Sequence, residues 1–161
     1  MEKDSRQDSK RRWLGLVGWL VVTFIAALVG SQFQPGAWYD GLNKPSWNPP
    51  GAVFGPVWTV LYTLMAVAAW LVWKRHGFSG ATAALSVYLV HLVANAAWSW
   101  LFFGLNELGL ALAEIAVLWV LILATLVLFW RHHRVAGWLL VPYLLWVSFA
   151  SVLNFTLWQM N

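Results

Sequence analysis

Five apolar runs, each long enough to cross a bilayer, leave this chain few folds to choose from. A transmembrane helix needs about 20 predominantly apolar residues. The runs lie near Trp13–Ser31, Phe54–Trp73, Ala81–Phe103, Leu108–Trp130 and Val135–Trp158. Backbone polar groups in hydrocarbon must be satisfied inside their own segment, so each run is expected as a helix. The expected fold class is an all-α membrane protein, a bundle of five transmembrane helices. Composition points the same way. Of 161 residues, 61% are hydrophobic and 10% charged, too few charges to solvate the surface of a soluble domain. Cys is absent, which excludes disulfides, thiolate metal sites and cysteine nucleophiles.

The charges lie between the runs. Lys3, Arg6, Lys10, Arg11 and Arg12 precede the first, Lys74 and Arg75 follow the second, and Arg131 and Arg134 follow the fourth. With five spans these groups share one side, and Lys44 stands alone on the other. Positive charge favours the cytosol, so the N-terminus is expected inside and the C-terminus outside. Trp13, Trp73, Trp130 and Trp138 then fall at the cytosolic interface, where indoles concentrate. The expected layout is a polar, mobile basic tail over 1–12, a single five-helix domain over 13–158 and an end at 159–161. A long outside loop covers 32–53. The first run is too long for a signal-peptide core and is expected to stay uncleaved. The other connections are short, which predicts antiparallel packing of neighbouring helices. A nucleic-acid partner is not expected, because no basic face lies on a polar domain.

The stretch "WYDGLNKPSWNPPGAVFGPVWTVLY", Trp38 to Tyr62, joins the first two runs. Pro45, Pro49 and Pro50 fix φ and exclude regular helix, so the loop is expected to be stiff. Trp38, Tyr39 and Trp47 give it apolar area, read as a lid over a cavity with an interfacial aromatic belt as the alternative. Pro56 suits the first turn of the following helix.

Helical spacing puts Trp58, Tyr62 and Met65 on one face of the second run, and His91, Asn95 and Trp98 on one face of the third. Tyr143, Trp146, Ala150 and Asn154 share roughly one face of the fifth. Polar groups in hydrocarbon usually face the bundle interior, so these faces are expected to converge. Asn95 and His91 equally suit helix-to-helix hydrogen bonding. Pro142 is expected to kink the fifth run. Glu114 is an intramembrane ionisable group near a helix end. His132 and His133 sit in a basic connection that reads as a solvated loop. No phosphate loop, zinc motif or nucleophile triad appears, and no metal site is expected.

The Trp38–Tyr62 stretch, "ANAAWSWLFFG" in the third run and "VPYLLWVSFASVLNF" in the fifth resemble the tryptophan-rich sensory protein / translocator protein family (TspO/MBR). The likeness covers about Trp13 to Trp158. It implies a five-helix bundle, usually dimeric, in a bacterial cell membrane. It implies binding of porphyrins (protoporphyrin IX or haem) and of isoquinoline or benzodiazepine ligands between the helices, under the first loop. No cofactor is required. The implied ligand positions are Tyr39, Pro49, Trp58, Tyr62, Asn95, Trp98, Trp146 and Ala150. Trp58 and Trp146 match positions linked in the family to photo-oxidative porphyrin breakdown, the only catalytic assignment it carries. His91 stands where some bacterial members have Gln. The cholesterol pattern of animal members is missing, because no Lys or Arg follows Arg134.

Three functions fit these features: a tetrapyrrole-binding membrane sensor or regulator, a light- and oxygen-dependent porphyrin-degrading enzyme, and a transporter of amphipathic ligands. Lys44 is the expected outside partner for a porphyrin propionate. Ala83, Ala84, Ala94 and Ala97 are candidate close-approach positions for a homodimer.

Overall fold

The computed structural model describes residues 2–161, with side chains from Lys10 onward. Six α-helices follow in order: α1 (Glu2–Gly30), α2 (Ala37–Asp40), α3 (Gly51–His76), α4 (Thr82–Ser99), α5 (Leu108–His132) and α6 (Arg134–Met160). Five are long and apolar enough to span a bilayer, and α2 is a single turn within the long loop. No strand occurs among the described residues. Lys10, Arg11 and Arg12, expected in the mobile tail, are helical and continue α1.

The long helices form a closed ring in the order α1, α3, α6, α5, α4, with α4 returning to α1. Short connections give tightly packed partners for α4 with α5 and for α5 with α6. They fail to do so for α3 and α4, which barely touch because α1 lies between them. Two features explain this. Gly77 takes φ +66°, open to glycine, and a 3₁₀ turn at Ser79–Ala81 carries the chain sideways. Glycines also let α1 approach both neighbours. A Cβ on Gly15 would lie 2.1 Å from the Trp73 ring of α3, and one on Gly30 would lie 3.3 Å from Ser99 Oγ of α4.

Lipid tails are as apolar as leucine, so helices associate in a membrane through close packing rather than through release of water. Small residues supply it: Ala66, Ala68, Ala69, Ala81, Ala84, Ala111 and Ala136 are all buried between helices. Ala84 therefore faces the bundle interior, unlike exposed Ala83, and is not available to a second copy. Met65, Val72, Leu85, Ile122, Phe129 and Leu140 fill the core. Val21, Ile25, Leu28, Val93, Val120 and Leu145 point outward and form the lipid-facing surface. The protein is a multi-pass integral membrane protein.

One proline sits differently from the sequence expectation. Helix α3 begins at Gly51, with Pro50 as its N-cap, so Pro56 sits in the second turn rather than the first. Its missing N–H leaves the Ala52 carbonyl without its helical partner, tolerable at a helix end near the interface. Helix α6 runs from Arg134 to Met160 through Pro142.

At one end of the ring Trp70 Nε1 donates to the Arg12 carbonyl at 2.9 Å, and the His76 and His132 rings meet at 5.1 Å. These contacts gather the ends of α1, α3 and α5, and with them Lys10, Arg11, Arg12, Lys74, Arg75, Arg131 and Arg134. The long loop lies at the opposite end, with Asp40, Lys44 and Glu107 the charged residues there.

Candidate functional site

The long loop covers two neighbouring aromatic patches, linked through Trp98 and Phe149. The first lies beside a π turn, Trp100–Gly104, that extends α4. π turns often mark functional sites. Here the turn places Phe102 and Phe103 under the loop. Trp38 stands 6.0 Å from Phe102 and Tyr39 stands 5.6 Å from Phe103, both edge-on. Trp98 packs on Phe102 at 4.9 Å. Gly104 makes room for Phe33, whose ring carbon lies 2.9 Å from where a Cβ would be. Trp98 Nε1 donates to Asn154 Oδ1 at 3.2 Å, and Asn154 Nδ2 donates to the Leu108 carbonyl at 3.0 Å.

The second patch is a wall made by α3 and α6. Trp58 packs on Tyr62 at 5.5 Å and on Tyr143 at 6.2 Å. Trp146 contacts Phe54 at 5.9 Å and Phe149 at 5.5 Å. Trp47 comes down from the loop onto Phe149 at 5.9 Å, while its indole stays 45% exposed. Ala150, one turn beyond Trp146, is half-buried against the core.

The floor beneath the wall is polar. Tyr62 donates its hydroxyl proton to Asn95 Oδ1, and Asn95 Nδ2 donates to the Tyr143 hydroxyl at 2.9 Å. One amide thus ties α3, α4 and α6 together at mid-bundle. His91 lies one turn away, fully buried, with Nδ1 3.3 Å from the Thr125 hydroxyl of α5.

The loop is stiff for reasons beyond its prolines. Tyr39 donates its hydroxyl proton to Asn48 Oδ1 at 3.2 Å. Burial pushes this phenol above its ordinary pKa, the Asn48 bond opposing and nearby Asp40 adding to the shift. Lys44 Nζ donates to the carbonyls of Asp40 at 3.0 Å and Leu42 at 3.3 Å, and lies 4.9 Å from the centre of the Tyr39 ring. Two of its three N–H groups are thus used inside the loop, leaving one for another partner. Pro49 is half-buried and follows Asn48 directly.

A clasp closes the loop against the end of α6. The Asn43 backbone N–H donates to Asn161 Oδ1 at 2.8 Å, and Asn161 Nδ2 returns a bond to the Asn43 carbonyl at 3.1 Å. The side-chain amide imitates a paired peptide group. The pair is exposed, so Asn161→Ala is expected to cost only about 0.5–1.5 kcal/mol per bond lost. The effect should be local: faster proteolytic cutting of the loop in detergent, with the thermal midpoint of the bundle moved by no more than a few degrees. Unchanged cutting would show that the clasp does not hold the loop.

The structure brings Trp47, Trp58, Tyr62, Tyr143, Trp146 and Asn95 together, and places Trp38, Tyr39, Trp98 and Asn154 in the neighbouring patch. Lys44 and Pro49 belong to the loop, and His91 lies below the floor. Sequence reasoning missed Phe54, Phe149, Phe102 and Phe103. The first two lie four residues before Trp58 and three after Trp146, a helical spacing that would have found them. Phe102 lies four residues after Trp98 and carries the same signal, whereas Phe103 carries none.

The chain matches the family model described as TspO/MBR family over residues 16–159. Among similar proteins are the tryptophan-rich sensory protein of Cereibacter sphaeroides, 42% identical over 88% of this chain and 91% of that one. The translocator protein of Homo sapiens is 38% identical over 92% and 91%. Protein CrtK of Rhodobacter capsulatus is 38% identical over 89% and 90%. A family match across nearly the whole length, carried by a five-helix membrane bundle with an aromatic loop end, establishes that this chain belongs to the TspO/MBR family.

Proposed function

We propose that the protein binds a flat tetrapyrrole, protoporphyrin IX or haem, at the aromatic wall of α3 and α6 beneath the loop, and acts as a membrane sensor or regulator. The observation that carries this reading is the wall itself. Trp58 packs on Tyr62 and Tyr143, Trp146 packs on Phe54 and Phe149 of the same two helices, and Trp47 reaches Phe149 from the loop. Large rings supply apolar area and stacking faces for a macrocycle. The remaining Lys44 donor is the group at this end suited to a ligand carboxylate. The same wall would accept aromatic isoquinoline or benzodiazepine compounds. The basic end would face the cytosol.

Titration of protoporphyrin IX into the protein in lipid nanodiscs, read by tryptophan fluorescence, tests this. Saturable quenching is expected in the wild type. Trp146→Phe should weaken affinity about three- to tenfold, the loss of roughly 0.5–1.5 kcal/mol for one aromatic contact. Equal, unsaturable quenching in both proteins would overturn the reading.

A second reading is porphyrin degradation by light and oxygen. It is favoured by the two oxidisable indoles, Trp58 and Trp146, each packing on rings of both α3 and α6. Illumination would then yield a discrete product, and Trp58→Phe would abolish it. Transport remains the third reading, suggested by the name of the human relative; directional uptake into proteoliposomes is its test.

A further inference from the structure

His91 and Tyr143 each keep one unused hydrogen-bonding group, and the two are complementary. The Thr125 hydroxyl has a single proton, which it donates to the Leu121 carbonyl at 2.7 Å. In its contact with His91 the ring nitrogen must therefore be the donor. This sets the tautomer: Nδ1 carries the proton and Nε2 presents a lone pair. Nε2 is buried with no hydrogen-bond partner among the described residues, and the residue is 0% exposed. The Tyr143 oxygen accepts from Asn95, yet its own proton meets no acceptor among the described residues. The two rings are 5.7 Å apart, centre to centre. A base without a proton stands beside a phenol with one to give. Tyr143 also touches the aromatic wall, 6.2 Å from Trp58. Buried polar groups are rarely left unpaired, so a pair left open in this way calls for an explanation.

We propose that Tyr143 is a redox residue that returns an electron to oxidised Trp58, with His91 Nε2 receiving its phenolic proton. The initiating oxidant is a one-electron acceptor at the wall, a photo-excited tetrapyrrole; for that identity alone the inference rests on the function proposed above. It takes one electron from Trp58 and leaves an indole radical cation, and the reduced tetrapyrrole passes the electron to dioxygen. Tyr143 gives one electron to Trp58 while its O–H proton moves to His91, across a single water where the gap requires one. Trp58 is restored. The products are a neutral Tyr143 phenoxyl radical, a His91 imidazolium and superoxide, so electrons and protons balance. A base is needed because a phenol that loses an electron becomes a very strong acid. The new cation sits against the Tyr88 and Tyr143 rings, at 4.9 and 5.7 Å. The result is that oxidising equivalents leave the ligand wall for the bundle core.

The test needs no tetrapyrrole, so it can fail or succeed independently of ligand binding. The full chain in nanodiscs is illuminated with tris(bipyridine)ruthenium(II) and a cobalt(III) ammine as sacrificial acceptor. Radicals are followed by transient absorption and trapped for electron paramagnetic resonance. A neutral tyrosyl radical is expected in the wild type, forming more slowly in deuterium oxide. It should be absent in Tyr143→Phe and retained in Tyr88→Phe. In His91→Gln, which can accept a hydrogen bond but not hold a proton, it should form roughly a hundredfold more slowly, the scale of a positioned proton acceptor. The wild-type isotope effect is a readout that a merely structural His91 would not produce, and it requires no variant to fold. A tyrosyl signal undiminished in Tyr143→Phe or in His91→Gln, one that depends on Tyr88 instead, or wild-type formation indifferent to deuterium would overturn the proposal.

Discussion

Replacing Asn95 with alanine is expected to lower the stability of the bundle by about 1–3 kcal/mol, because interhelical hydrogen bonds in membranes average roughly 0.6 and reach about 1.7 kcal/mol each. The larger penalty of about 1–3 kcal/mol for every unsatisfied group in a soluble core does not transfer directly. The unfolded chain in a bilayer also finds polar partners, which reduces the difference. Asn95 makes two such bonds, to Tyr62 and Tyr143, and these join three helices at one point. Its loss also leaves a void beneath Trp58. Tyr143→Phe removes only one of the bonds and should cost less. The double variant should cost less than the two single losses added, since both remove the same contact. Unfolding by sodium dodecyl sulfate in mixed micelles measures all three. An Asn95→Ala protein within about 0.5 kcal/mol of wild type would show that the amide is not a structural tie.

Gly137→Ala is expected to destabilise more severely than its one added carbon suggests. A Cβ there would lie 2.6 and 2.9 Å from the Trp130 side chain and 3.1 Å from the Trp130 Cα. The indole can shift, but the backbone approach at the α5–α6 turn has little freedom, since His133 alone separates the helices. Overpacking of this kind costs about 1–3 kcal/mol. Alanine's helix preference over glycine returns up to about 1 kcal/mol, so the net is a loss. Gly137→Leu should prevent α5 and α6 from pairing at all, visible as loss of monodisperse protein in detergent. Gly18→Ala is the control: nothing lies within 4 Å of its Cβ position, and the change should be neutral or slightly stabilising. Equal effects at Gly18 and Gly137 would refute the packing argument.

Much of the candidate site was legible because it obeys simple periods. Trp58 and Tyr62 are four residues apart, as are Asn95 and His91, and the same rule placed Tyr143, Trp146 and Ala150 on one face. Asn95 between two tyrosines follows from the cost of an unpaired amide in hydrocarbon. The site residues outside regular helix were less readable. Trp38 and Tyr39 were expected over the same cavity as Trp58. The loop sets their rings on Phe102 and Phe103, which a π turn presents. Nothing in "WSWLFFG" signals a π turn. Lys44 appeared free in sequence, yet its ammonium is largely engaged by carbonyls two and four residues away.

The amino-acid sequence alone determined the number of membrane-spanning helices and the inward faces of α3, α4 and α6. Those follow from hydropathy and from helical periods, which are local properties of the chain. Only the tertiary structure decided that α1 stands between α3 and α4, that the loop sets Trp38 and Tyr39 on Phe102 and Phe103, and that the His91 and Tyr143 rings lie 5.7 Å apart. Such contacts depend on how glycine and alanine surfaces fit together across helices, a matter of three-dimensional shape that no local pattern encodes.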